Sequence, residues 1–189
     1  MITKYPYPND DNKSISRNVQ DVYKEWSNAE IRADLDTRRS EMISVFQHLG
    51  HDFNVACCIR SNNAFLGKAV YIVGRRRYDT RGTVGTRKYE HVYHAENFEE
   101  VINKLHQDGY TVYAVDNIEE YHPKDIREVA FPKKSAFVFG NEGLGLSEDA
   151  IKMSDDMIFV RQRGSVRSMN VAACASVVMY EYTRQHMEG

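Results

Sequence analysis

Three stretches of the chain combine residue types and spacings that suit chemistry on a bound molecule. Gly140-Asn141-Glu142-Gly143-Leu144-Gly145-Leu146 puts three glycines in six positions. Glycine takes positive φ without steric cost and lets main chain come close to a ligand or another strand, so the run is either a tight turn or a backbone cradle. Its order, Gly-x-x-Gly-x-Gly, is not that of a dinucleotide fingerprint, and no Gly-Lys-Ser/Thr follows, which excludes a P-loop. Ser168-Met169-Asn170 is the second stretch, in which Ser168 taken alone is a helix cap. In the third, Arg60 falls six residues after Asn54. Taken alone, Arg60 is an arginine on a solvated helix face and Glu142 a loop carboxylate.

The elements that must position these residues follow from apolar spacing. Ser135–Phe139 is a short apolar run expected to form a buried strand that delivers the Gly-rich loop. Ser147 and Glu148 open a short helix to about Met153, and Met157–Val160 is the next strand. A basic loop, Arg161–Arg167, leads to a closing helix with Val171, Cys174, Ala175, Val178, Met179 and Tyr182 on one face. Upstream, Ile43–Phe46 and Ala69–Val73 read as strands around a helix from Asp52-Phe53-Asn54 to about Phe65, with Asp52 or Asn54 as its cap. A basic loop over Gly74–Lys88 precedes a short strand near His91–Tyr93. Phe98, Val101, Ile102 and Leu105 mark an amphipathic helix ended by Gly109, and Tyr110–Val115 is another strand. Asn117–Lys134 reads as an irregular connection with a helical turn near Asp125–Val129. Strands alternating with helices predict an α/β fold with a mostly parallel sheet flanked by helices. Residues 1–36 read as a loose arm followed by helical spacing at Val19, Val22, Tyr23, Trp26 and Ala29, ahead of one domain over 37–189.

Phe139–Leu146 resembles the second signature of the SpoU-type RNA 2′-O-methyltransferases of the SPOUT superfamily. Ser168-Met169-Asn170-Val171-Ala172 is similar to the third, with Met169 where leucine is commoner. Asn54 and Arg60, followed by Ala64-Phe65-Leu66-Gly67, resemble the first. Twenty positions separate Gly140 from Val160 and nine more lead to Met169, which is the family's pacing. The resemblance covers roughly Met42 to Tyr182. It implies a deep trefoil knot in about Val138 to Tyr182, which general topology rules alone would disfavour. It also implies S-adenosyl-L-methionine in a bent pose, contacted by the main chain of Gly140, Val160 and Met169 and, as a weaker match, Val115, with no metal. Arg60 is the residue implicated in activating a ribose 2′-hydroxyl. Because a guanidinium pKa lies above ~12, it acts either as a base perturbed by a bound RNA phosphate or as the group that holds that phosphate and orients the hydroxyl. Asn54 would orient Arg60, while Glu142, Ser168 and Asn170 would shape the site. The family's usual Pro-Met after the strand ending at Val160 is here Arg161-Gln162.

The resemblance makes structured RNA the expected partner and a homodimer the expected assembly, with each site completed across it. Arg75, Arg76, Arg77, Arg81, Arg87 and Lys88, beside Tyr78 as a stacking face, and Arg163 and Arg167 are the candidate RNA contacts. Gly82–Tyr89 resembles the corresponding stretch of tRNA-modifying members, which favours tRNA over rRNA. The competing reading is a catalytically silent RNA-binding protein on the same scaffold. A third keeps the superfamily but moves the methyl group to a base nitrogen.

Composition is consistent with these expectations. The 189 residues carry a net charge of −2, with 42% hydrophobic and 28% charged residues, as in an ordinary globular protein. Charge is unevenly spread: seven Lys/Arg face Asp79 alone between Lys68 and Lys88, whereas nine acids face three bases between Ala95 and Glu128. A basic patch on a near-neutral chain is the footprint of a polyanion held at one face. No apolar run reaches the ~20 residues of a membrane span and no signal-peptide core opens the chain. Cys57, Cys58 and Cys174 lack paired ligand spacing, so buried free thiols in a reducing cytoplasm are expected rather than disulfides or a zinc site.

Overall fold

The computed structural model describes residues 1–7, 18–47, 52–141 and 143–187. Among the described residues, eight strands form one sheet: β1 (Thr3–Lys4), β2 (Ile43–Gln47), β3 (Ala69–Val73), β4 (Val92–Ala95), β5 (Thr111–Val115), β6 (Lys124–Asp125), β7 (Ser135–Phe139) and β8 (Asp156–Phe159). Their spatial order is β1-β4-β3-β2-β7-β5-β8-β6, and every pairing is parallel except that of β1 with β4. Parallel strands covered on both faces read as unbroken apolar runs. All five residues of β3 and all five of β7 are buried accordingly.

Two apolar layers result. The helices α2 (Asp52–Ala64) and α5 (Val171–His186) cover one face, where Phe46, Ile72, Phe137, Phe139 and Tyr182 pack with Val55, Ile59, Val178 and Met179. The helices α3 (Phe98–Gln107) and α4 (Glu148–Met153) cover the other, over Val45, Val112, Ala114 and Val138. Phe98, Val101, Ile102 and Leu105 are the buried face of α3, whose first turn is capped by the Asn97 side chain accepting from the Glu100 amide at 3.0 Å. Past its end, Gly109 takes φ of +80°. A face with spacing i, i+3, i+4, i+7 thus becomes the helix it predicts.

The expectations differ from the structure in five places. Val92–Ala95, not His91–Tyr93, is the fourth strand. Near Asp125 the expected helical turn is present at Ile126–Glu128, but an edge strand, Lys124–Asp125, precedes it. Asn54 lies inside α2 rather than at its cap. The N-terminal helix α1 spans Asn28–Asp36 and starts at Ser27, whose hydroxyl accepts from the Glu30 amide while the Glu30 carboxylate accepts from the Ser27 amide. That reciprocal cap outweighs the apolar spacing from Val19. Of the stretch expected to be a loose arm, Thr3–Lys4 pairs with β4, and residues 8–17 lie outside the described residues.

A buried ionic network ties α1 to the turn that ends α2. Arg39 donates from Nη1 to Glu90 at 2.9 Å and to the Gly67 carbonyl at 3.1 Å, and from Nε to Asp36 at 2.7 Å. Asn62 and Asn63 each donate to Glu90 at 2.7 Å, and the Glu90 side chain is wholly buried. Burial pushes the Glu90 carboxyl up, against the pull of Arg39 and the two amides. Removing one member of such a pair leaves the other charge uncompensated in low dielectric. Arg39→Met is therefore expected to cost about 3 kcal/mol at neutral pH. Urea unfolding reads this loss, and adding Glu90→Gln should recover most of it.

Candidate functional site

At the carboxyl ends of β5, β7 and β8, beside the start of α5, lies a cavity of about 400 Å³. Its walls come largely from segments at strand ends: Val115–Asn117 at the end of β5, Gly140–Asn141 and Gly145 after β7, Phe159–Val160 and Gln162 at the end of β8, and Arg167–Val171 leading into α5. Asn54 from α2 and Cys174 from α5 complete it. The expected cofactor contacts Val115, Gly140, Val160 and Met169 all line this one cavity. Such a volume suits a nucleoside-sized ligand.

The Gly-rich loop is a closed hairpin. Asn141 and Gly145 exchange two main-chain hydrogen bonds, of 3.0 and 2.7 Å, and the Asn141 side chain accepts from the Gly143 amide at 2.9 Å. Gly145 has φ of +69°, a conformation that glycine adopts without strain. At Gly140 the reason for glycine is different. A Cβ there would lie 2.3 Å from the Gly145 carbonyl carbon and 2.4 Å from the Leu146 nitrogen. The hairpin therefore folds back on its own first residue, and that closeness shapes the cavity wall. Glu142 lies outside the described residues.

The second loop is tied to the first wall. Asn117 donates its side-chain amide to the Arg167 carbonyl at 3.0 Å. Asn170, not Ser168, caps α5, accepting from the amides of Ala172 at 2.9 Å and Ala173 at 3.3 Å. Its amide donates to the Asn54 side chain at 3.3 Å, which brings the first and third motifs together at the cavity. Ser61 and Ser176 continue that α2–α5 contact, with their hydroxyls 2.8 Å apart.

Arg60 does not line the cavity of its own chain. It is exposed, and no described residue is within hydrogen-bond or ion-pair reach of it. It falls on an outward stripe of α2 with exposed Phe53 and Ala64, and the neighbouring stripe of α5 exposes Val177 and Tyr180.

The basic loop after β3 is more ordered than its composition predicts. Short helical turns at Thr80–Thr83 and Thr86–Lys88 dock it against α2, where a Cβ on Gly82 would meet the Ala56 Cβ at 2.9 Å. Arg75, Arg76 and Arg77 remain exposed. Tyr78 is not the free stacking face expected of it, because its ring is half-buried edge-on against Tyr5, 5.8 Å away. Arg81 is held by Asp79 at 2.6 Å, which draws the Asp79 carboxyl down to about 2, and Lys88 gives its carbonyl to Arg32 at 3.1 Å. Arg163 and Arg167 are exposed, and Arg167 lines the cavity.

Three cavity residues carried no signal that sequence reasoning used. Asp116 and Asn117 directly follow the strand that ends at Val115, so their place at a strand end is the signal that marks them. Cys174, expected to be a buried core thiol, borders the cavity instead, and burial beside Asp116 pushes its thiol up to about 11.

Residues 41–180 match the model of the SpoU rRNA Methylase family. The chain belongs to that family. Over 104 residues it is 34% identical to a tRNA (guanosine(18)-2′-O)-methyltransferase of Thermus thermophilus, a match over 55% of this chain and 53% of that enzyme. The mouse enzyme of the same activity is 27% identical over 95% of this chain but only 12% of its own length. The chain thus spans about half, or less, of these curated relatives. Among solved structures, the TrmH/SpoU tRNA modifying enzyme of Aquifex aeolicus superposes with a TM-score of 0.75 at 22% identity, covering 84% of this chain and 81% of that one. The SpoU methyltransferase AviRb of Streptomyces viridochromogenes, in complex with AdoMet, superposes at 0.71 with 21% identity, covering 80% and 60%. At such identities the superpositions speak for a shared SpoU fold. Among the described residues, no helix is long and apolar enough to cross a membrane and no cluster of His, Cys, Asp or Glu suits a metal ion.

Proposed function

We propose that this chain is an S-adenosyl-L-methionine-dependent RNA 2′-O-ribose methyltransferase that acts on structured RNA, tRNA in preference to rRNA. The observation that carries the proposal is the cavity whose wall includes Val115, Gly140, Val160 and Met169, brought together from four separate segments. Main-chain N–H and C=O groups can read an adenine edge, and the fold-back of the hairpin onto Gly140 holds residues 140, 141 and 145 together at the cavity wall. When bound there, S-adenosylmethionine supplies a methyl group on an already reactive sulfonium. What this chain must add is alignment of the incoming ribose. Asn54 and Asn170, joined at the rim, suit that role, as does Ser168, with Glu142 assigned by resemblance alone.

Arg60 acts in this scheme from a second copy of the chain. Its outward position and the apolar residues beside it, Phe53, Val177 and Tyr180, support a homodimer packed through α2 and α5. It holds an RNA phosphate and orients the 2′-hydroxyl, because a guanidinium is a poor base. The knot over about Val138 to Tyr182 belongs to the same reading, supported by family membership and by the meeting of the 140–146 and 160–170 loops at one cavity. So do a methyltransferase domain over 37–189 and a cytoplasmic setting, the latter consistent with three free cysteines. The relatives' activity on tRNA supports the substrate class.

Isothermal titration is expected to show cofactor binding, and nucleoside mass spectrometry of total RNA should lose a 2′-O-methylated nucleoside when the gene is removed. No heat at millimolar cofactor would leave the silent RNA-binding scaffold as the reading to pursue.

A further inference from the structure

Asp125 is 2% exposed, and both its oxygens are fully engaged. Oδ1 accepts from the Arg127 Nε at 2.9 Å and from its amide at 3.1 Å, while Oδ2 accepts from Arg127 Nη2 at 2.7 Å and from Arg161 Nε at 2.8 Å. Two guanidinium groups therefore share one buried carboxylate, which leaves one positive charge in surplus. Arg127 and Arg161 hold the Asp125 carboxyl far below the usual range, so the carboxylate is a permanent anchor.

Arg161 spends only its Nε on that anchor. Its two Nη groups have no partner among the described residues, and its side chain is 45% exposed. It is nonetheless fixed. Its guanidinium carbon lies 5.2 Å from the ring centroid of Phe159, a cavity-lining residue, and its chain neighbours Val160 and Gln162 also line the cavity. The entropy of ordering a long side chain has already been lost, and a planar fork with free N–H groups matches a phosphate in two-point fashion. A tether for the loop would need one arginine on Asp125. The second cation and its open donors serve something else.

We propose that Arg161, braced by Asp125 and Phe159 and seconded by Arg127, is a seat for a backbone phosphodiester of the RNA substrate beside the cofactor cavity. This rests on the RNA reading above. S-adenosylmethionine carries no phosphate, and its one anionic group, the methionine carboxylate, is the competing occupant that separate cofactor titration distinguishes from RNA. The seat also gives a purpose to Arg161-Gln162 where the family usually has Pro-Met.

The test compares wild type, Arg161→Met, Arg161→Lys and Arg127→Met for binding of an unmodified tRNA transcript across a salt series, with cofactor binding measured separately. Arg161→Met should weaken transcript binding about tenfold and flatten the slope of log K against log salt by about one. Cofactor affinity should be unchanged. Arg161→Lys should restore the slope but only part of the affinity, because the charge returns without the fork. Arg127→Met should fall between wild type and Arg161→Met. Unchanged transcript binding and slope in Arg161→Met would overturn the seat, and so would cofactor affinity falling in step, which marks a loop prop or a seat for the cofactor carboxylate. Transcript binding needs no turnover, so a wild type that binds the transcript but not the cofactor sinks the methyltransferase reading while leaving this comparison intact.

Discussion

Arg60→Ala is expected to reduce methyl transfer by at least about a thousandfold while leaving cofactor affinity within about twofold. The reasoning begins with what Arg60 does not do. It is exposed, does not line the cofactor cavity of its own chain and has no partner among the described residues, so its removal costs the fold little. Any large effect must then come from a contact made in the assembled, RNA-bound enzyme. Single-turnover transfer of labelled methyl reads the rate, titration reads the cofactor, and thermal unfolding checks the fold. If each site draws Arg60 from the partner, mixing inactive Arg60→Ala with a variant inactive only in the cofactor cavity should restore activity, since a mixed dimer holds one intact site. Normal turnover in Arg60→Ala would remove the residue from the mechanism. Failure to complement, with the dimer intact, would put Arg60 and the cavity in the same chain.

How far the fold can be read from the sequence depends on where each element draws its stability. Ala69–Val73 and Ser135–Phe139 are exact because both lie in the sheet interior, where every side chain is covered and the apolar run is unbroken. β1 and β6, of two residues each, carry no such pattern. Thr3–Lys4 and Lys124–Asp125 are polar, and only pairing with β4 and β8 makes them strands. The start of α1 is legible in Ser27 and Glu30, a written-out capping box that competes with the apolar spacing upstream. At the site, residues whose backbones matter could be placed by motif spacing alone. The long-range partners could not: Asp125 is thirty-six residues from Arg161, and nothing local to either announces the pair. The same holds for Tyr78, which packs against a ring from the first residues of the chain.

Gly140→Ala is expected to weaken cofactor binding by roughly ten- to a hundredfold, because overpacking at a site that cannot relax costs about 1–3 kcal/mol. The new methyl group would meet Gly145 and Leu146 main-chain atoms at 2.3–2.6 Å, and no side chain stands there that could swing aside. Relief requires the hairpin to open, which strains the paired hydrogen bonds between Asn141 and Gly145. β7 itself ends at Phe139 and keeps its ladders with β2 and β5, so the core should survive with only a modest fall in melting temperature. Gly143→Ala is the matched control. Its Cβ would lie 3.4 Å from the Asn141 side-chain oxygen, a tight contact with a side chain rather than with main chain, and its φ is not positive. Titration on both variants, with circular dichroism on each, separates the cases. Wild-type affinity in Gly140→Ala would mean that the wall formed by this hairpin does not touch the cofactor, whereas equal losses in both variants would trace the effect to general softening of the loop. A loss confined to Gly140→Ala ties the cavity's shape to the fold-back of the hairpin on its first residue, which no other amino acid can occupy without moving the main chain.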